Sequence, residues 1–287
     1  MTDLQGDEGK LGFNQDPKNN AFQFSPVALP RLKNIKIVQV SCGNDHVLAL
    51  SSTGEVWVWG NGSSRQLGRR IIERRKLNGL EPERLGLRRI VHVNAGIYHS
   101  FALDSSGIVW AWGLNGNRQC GIDTSRSEAH EDLITVPTQV DGLHPDKHDG
   151  HRVVAISGGE FHSLFLFDNG EVWGCGRNDS HELGLSDDHP AQDGVRERTR
   201  EIHEEKQKVI DEAQKALDKV TQAGDEEAIA QATTTLQGAQ SSLRIAPVEW
   251  VPEPVRVSLL PTLSLTVSSP SLYVLFQLLQ PVGTEKS

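Results

Sequence analysis

Among the 287 residues there are only three cysteines, one methionine and two tyrosines. Cys42, Cys120 and Cys175 follow no metal-ligand spacing and are too few for a disulfide framework, so they read as small apolar fillers in a reducing compartment. Positive charge is in deficit as well. The net charge of −9 provides no general field for nucleic acid or an anionic bilayer, so any such contact needs a local basic patch. No apolar run reaches the ~20 residues of a membrane span, and Met1 to Lys10 lack the basic start and apolar core of a secretory leader; no membrane partner is expected. Reactive machinery is missing too. No nucleophile stands with a recurring base, and Gly60-Asn61-Gly62, which hints at a phosphate loop, runs on into Ser63-Ser64-Arg65 and opens no helix. Covalent chemistry, a cofactor and a metal are therefore not expected.

What the sequence does contain is a repeat. Val40–Gly68, Val93–Gly121 and Ile156–Gly184 align over 29 residues without a gap, at intervals of 53 and 63. Each copy begins Gly-x-x-His (Gly43 and His46, Gly96 and His99, Gly159 and His162) and turns at Gly54, Gly107 or Gly170. Self-similarity at such a period means stacked supersecondary units. Ser52-Thr53-Gly54 and its equivalents place glycine where a hairpin needs positive φ, so each copy reads as a β-hairpin with further strands on its flanks. In the second hairpin strand both alternating sets are apolar: Val56, Val109 and Val172 on one face, Trp57, Trp110 and Trp173 on the other. A strand buried on both faces requires sheet against sheet, and a radial stack of small antiparallel sheets is a β-propeller. Histidines on three separate blades cannot converge on one ion, so each is expected to make a structural hydrogen bond inside its own blade.

The segments between and around the copies differ in character. Gly9-Lys10-Leu11-Gly12 matches the Gln66-Leu67-Gly68 end of a copy, so residues 1–39 read as the tail of a preceding blade with a lead-in strand, and 40–194 as three complete repeats. Residues 69–89 hold eight basic and three acidic side chains. Arg69, Arg70, Arg74 and Arg75 are either a solvated loop or a cationic contact for phosphate or an acidic protein. His144, Asp146, His148, Asp149 and His151 read as a surface loop rather than a ligand set. In 195–244 the periodicity becomes helical, with Ile202, Val209, Ala213, Ala216 and Val220, then Ile229, Ala232, Leu236, Ala239 and Leu243 after a break at Gly224-Asp225, where Asp225 is a good N-cap. These predict an inserted helical hairpin. Residues 245–257 read as the lead-in strand of a further blade. The tail at 258–287, uncharged from Ser258 to Thr284, is expected to be a truncated or frame-altered terminus or an alternative splice end.

The Gly-x-x-His start, the Ser-x-x-Gly-x-Val-x-x-x-Gly middle and the Gln-Leu-Gly end resemble the repeat of the regulator of chromosome condensation family, closely over Val27–Gly184. The wording Cys42-Gly43-Asn44-Asp45-His46, with Gln66-Leu67-Gly68-Arg69 and the Arg-rich insertion, is more specifically similar to family members that are chromatin-bound exchange factors for a Ran-type small GTPase, in a fungal form. The resemblance implies a seven-bladed all-β propeller, a nuclear location, a GTPase partner on one face, and histones or nucleosomal DNA as further partners. It also implies roles in nucleocytoplasmic transport and mitosis. Asp45 matches an acidic GTPase-facing position, beside Asn44, with Tyr98 and Phe161 as weaker candidates for the same rim; Asn44-Asp45 is alternatively only a turn pair. A second class is an interaction scaffold of the same repeat without exchange activity. The visible repeats are fewer than the seven of the family, and the helical insertion is atypical.

Overall fold

The computed structural model describes residues 9–12, 28–69, 79–124, 132–186, 188–223, 226–244 and 250–257. Arg70, Arg74, Arg75, the Gly224-Asp225 break and the 258–287 tail lie outside them. The chain divides into two compact units, the first taking in the three repeats and the strand after the helices, the second spanning residues 185–249.

Each repeat of the first unit folds as one four-stranded antiparallel sheet, and these three sheets are the blades. The first blade is β1 (Ile37–Cys42), β2 (His46–Ser51), β3 (Val56–Gly60) and β4 (Glu83–Arg84). The second is β5 (Ile90–Ala95), β6 (His99–Asp104), β7 (Val109–Leu114) and β8 (Leu133–Gln139). The third is β9 (Val153–Gly158), β10 (His162–Phe167), β11 (Val172–Arg177) and β12 (Trp250–Val257). Equivalent residues pair identically: Ala49 faces Trp57, Ala102 faces Trp110, and Phe165 faces Trp173. All three blades are therefore the β-propeller units that the two-faced apolar strands predict.

The core lies between blades. Val58, Phe101, Val109, Trp112, Phe165 and Cys175 are buried in one cluster that spans all three sheets. Phe101 meets Phe165 of the next blade edge to face at 5.4 Å, an arrangement that aromatic quadrupoles favour. Cys120 and Cys175 are buried fillers, but Cys42 is exposed, because β1 turns its alternate side chains Val38, Val40 and Cys42 outward. Val38 and Val91 also occupy equivalent irregularities in the β1–β2 and β5–β6 registers, where an extra residue is pushed out of the ladder.

Residues 245–257 were expected to lead into a further blade; instead Trp250–Val257 is the outer strand of the third. The sequence disguises this because the helices separate β12 from its partner β11 by the whole second unit. Long insertions between paired strands cost little, since loop-closure entropy grows only logarithmically with length.

The second unit holds α1 (Pro190–Ala223) and α2 (Glu226–Arg244), packed on one another as a helical hairpin. α1 starts ahead of the expected boundary at 195. Proline suits a first helical turn, and the amide of Ala191 donates to His189 Nδ1 there. The apolar stripe of α1 keeps Ile202, Ala213 and Val220 half-buried as predicted and departs by one position at 209 and 216. Ile210 is buried and Leu217 half-buried, whereas Val209 is exposed; the larger Ile and Leu win the interface over Val209 and Ala216. On α2 Leu236 is buried between the half-buried Ala232 and Ala239, with Ile229 half-buried on the same predicted stripe.

Candidate functional site

Each blade's first and second strands are joined by a tight turn, and the three turns carry the predicted rim residues. Gly43, Gly96 and Gly159 donate their amides to the carbonyls of His46, His99 and His162, each at 2.9 Å. The turns also join one another. Asn44 N donates to Ile97 O at 3.2 Å, and Ile97 N donates to Gly159 O at 3.1 Å, which links the three blades in a row. The residue before each histidine is then pinned from the far side: the carbonyls of Asp45, Tyr98 and Phe161 accept from Asn61 N, Leu114 N and Arg177 N at 2.7, 2.9 and 2.8 Å. Backbone is thus locked at these three positions while the side chain is free to vary.

Glycine at Gly43, Gly96 and Gly159 has a steric cause. A Cβ at any of them would overlap the imidazole of the histidine three residues on. The ring occupies the space a side chain would need, and its Nε2 reaches out of the blade. His46 Nε2 reaches Ser100 Oγ at 2.8 Å and His99 Nε2 reaches Ser163 Oγ at 2.9 Å, both in the next blade. The expected bond inside each blade is therefore a bond across the blade junction. Each serine hydroxyl donates to the carbonyl of Gln66 or Gln119, at 2.9 and 2.8 Å, so its oxygen is left to accept from Nε2–H. The imidazoles are consequently neutral, with Nδ1 bare and buried. Burial pushes His46 down to about 4 and His99 to about 3, since the cation would have no solvent and no second acceptor. Among the described residues no group of three or more His, Cys, Asp or Glu side chains is placed to hold a metal ion.

The Gln-Leu-Gly loop completes the junction. Trp112 Nε1 donates to Gln66 O at 2.8 Å. The four residues Gly9–Gly12 form the same loop against the first blade: Gly12 N donates to Gly9 O, as Gly68 N does to Arg65 O, and Trp59 Nε1 donates to Lys10 O at 2.9 Å. Positive φ recurs at Gly9 and Gly12, at Arg65 and Gly68, at Arg118 and Gly121, and at His181 and Gly184. The match of Gly9–Gly12 to the end of a repeat is therefore three-dimensional.

Of the sequence-selected residues, the structure brings together Asn44 with Asp45 and Tyr98 with Phe161. Asn44 Nδ2 donates to Asp45 Oδ2 at 2.6 Å, and Lys10 Nζ donates to Asp45 Oδ1 at 2.8 Å. The rings of Tyr98 and Phe161 stack at 6.4 Å between centroids, and the Arg177 guanidinium lies 5.9 Å from the Phe161 centroid. Arg177 is held by Asp179 and Glu182, and the Asp179 hydrogen bond raises its already high pKa. A carboxylate, two aromatic rings and a guanidinium thus stand along linked turns. Arg69 is elsewhere, paired with Glu83 at 3.2 Å and mostly covered. His148 is committed to packing, its ring 4.5 Å from those of Phe167 and Trp173 and its Nε2–H donating to Gly142 O.

Lys10 and Arg177 were not foreseen. Lys10 stands where the other loops have Gln66, Gln119 and Glu182, all of them acceptors, and Arg177 where the other repeats have Asn61 and Leu114. Departure from a column of the repeat was the available signal.

Comparison with known proteins agrees with this architecture. The family model described as RCC1-like domain matches residues 4–240. The chain belongs to the RCC1-like domain family. Protein pim1 of Schizosaccharomyces pombe is 46% identical over 180 residues, 63% of this chain and 31% of pim1. The guanine nucleotide exchange factor SRM1 of Saccharomyces cerevisiae is 39% identical over 183 residues, 63% of this chain and 36% of SRM1. The crystal structure of Prp20p from Saccharomyces cerevisiae, described with binding properties to Gsp1p and histones, superposes with a TM-score of 0.55 at 36% identity, covering 65% of this chain and 41% of Prp20p. The chain therefore spans about a third of the length of these curated relatives.

Proposed function

We propose that this RCC1-like chain is a guanine-nucleotide exchange factor for a Ran-type small GTPase, working in the nucleus on chromatin, with no covalent step of its own. The observation that carries the reading is the row of backbone-pinned turns displaying Asp45, Tyr98 and Phe161, in a chain whose repeats match those of a named exchange factor. Exchange by such a surface is reciprocal linkage. A protein that binds the nucleotide-free GTPase more tightly than the loaded one weakens nucleotide affinity by the same factor. Asp45 is the group suited to compete with phosphate for a cationic nucleotide loop, Asn44 orients it, and the stacked rings offer a rigid apolar contact beside it. Histones are the second partner class, supported by the description of Prp20p and by the net charge of −9, which attracts basic proteins rather than DNA.

The test is release of a fluorescent GDP analogue from Gsp1p by the purified chain, verified as a monomer by sedimentation. Acceleration that falls roughly tenfold in Asp45→Ala, with unchanged unfolding temperature, is expected, about 1.4 kcal/mol of transition-state stabilisation. A folded monomer without effect on release would leave the interaction-scaffold reading in its place.

A further inference from the structure

Two positions of the repeat depart from their columns together. At the middle of the Gln-Leu-Gly loop, Gln66 and Gln119 are buried and turn back on their own loops, accepting at Oε1 from Ser64 N at 2.9 Å and Asn117 N at 3.0 Å. At the turn of the blade that each loop abuts, the side chains are the uncharged Tyr98 and Phe161. The first junction alone pairs Lys10 in the loop with Asp45 in the turn. An ammonium has no acceptor with which to close its own loop, so the Lys10 stem extends and Nζ meets Asp45 Oδ1 at 2.8 Å. Both side chains keep only about a fifth of their surface exposed, 22% and 21%.

We propose that Lys10 is a positioning residue for Asp45, holding the carboxylate in the orientation it uses against the GTPase. This rests on the exchange reading above. A carboxylate offers about four acceptor directions. Lys10 occupies one at Oδ1 and Asn44 one at Oδ2, which restrains the side-chain torsions and leaves other directions for an incoming cation. The loop that fastens the blade junction thereby also sets the geometry of the rim, so substitution in a segment remote in sequence changes exchange through Asp45.

The full chain is compared with Lys10→Met, Lys10→Arg, Asp45→Asn and the Lys10→Met/Asp45→Asn double variant, for affinity toward nucleotide-free Gsp1p, for GDP-release kinetics and for thermal unfolding. Lys10→Met and Asp45→Asn should each weaken binding about fivefold, the double variant should be no weaker than Asp45→Asn alone, and Lys10→Arg should retain parental affinity. The loss should fall on kcat, because Asp45 acts as phosphate leaves. Parental binding and kcat in Lys10→Met, with both reduced in Asp45→Asn, would overturn the positioning role and leave the exchange reading intact. Parental behaviour of Asp45→Asn, or a folded parental chain that does not bind Gsp1p, would remove the exchange reading and this proposal with it.

Discussion

Mild acid should destabilise the blades through their histidines. His46, His92 and His99 are buried, with folded-state values near 4, 4 and 3 against an ordinary 6.5. Desolvation is the leading cause for all three, partly opposed at His46 by Asp45 and reinforced at His99 by its histidine neighbours. Because the folded values are depressed, the unfolded chain binds more protons below pH 6.5, and stability falls as pH falls. The contribution is complete above about 6.5 and is lost progressively down to the folded values. One unit below the unfolded pKa, each imidazole costs about 1.4 kcal/mol, so the three together cost about 4 kcal/mol near pH 5.5. That is a large share of the 5–15 kcal/mol typical of a folded domain, and it should lower the unfolding temperature by about 8–16 °C. Thermal melts between about pH 7.5 and 5.5 measure it, a range in which ordinary carboxylates stay ionised. His46→Gln combined with His99→Gln supplies a neutral donor to Ser100 and Ser163 and should reduce the dependence to the share of His92, about 1.4 kcal/mol. Equal unfolding temperatures for the parent at both ends of the range would refute the neutral, junction-spanning assignment.

Two further outcomes follow from the packing. Gly96→Ala drives a methyl into the His99 ring and the blade junction, so unfolding by denaturant should show a loss of about 3 kcal/mol; a loss below half a unit would mean that the ring is not seated on the glycine. In the native chain a thiol reagent should label Cys42 first and Cys120 and Cys175 only on unfolding, since burial raises the pKa of all three thiols but closes only these two off from the reagent. Rapid labelling of all three by mass spectrometry would contradict the closed junctions.

How far the candidate site could be read in advance differs from residue to residue. Asp45 was selected because it resembles an acidic GTPase-facing position of the family, with Asn44 beside it and Tyr98 and Phe161 at nearby loop positions of the other repeats, and the linked turns place the four along one row. The basic stretch was legible as composition only. That Arg69 spends its charge on Glu83 depends on β4 passing beside it, and β4 is two residues long with no pattern of its own. The histidine's partner was misplaced for a related reason. Ser100 and Ser163 look like ordinary strand residues, and only the stacking of one sheet on the next puts their hydroxyls opposite His46 and His99.

By itself the sequence determined the blade: gapless copies, glycines under the histidines and at the turns, and strands apolar on both faces, all local constraints that a single repeat carries in its own spacing. The helical hairpin was local in the same way, down to a register error where Val209 and Ile210 compete for one face. Only the tertiary structure decided which elements complete one another across the chain. It returned β12 to β11 across the second unit, and it set Gly9–Gly12 against the first blade so that Lys10 meets Asp45. Such pairings depend on contacts between residues far apart in the chain, which no local period encodes, and they are selected by the closing of buried hydrogen bonds and apolar surface between blades.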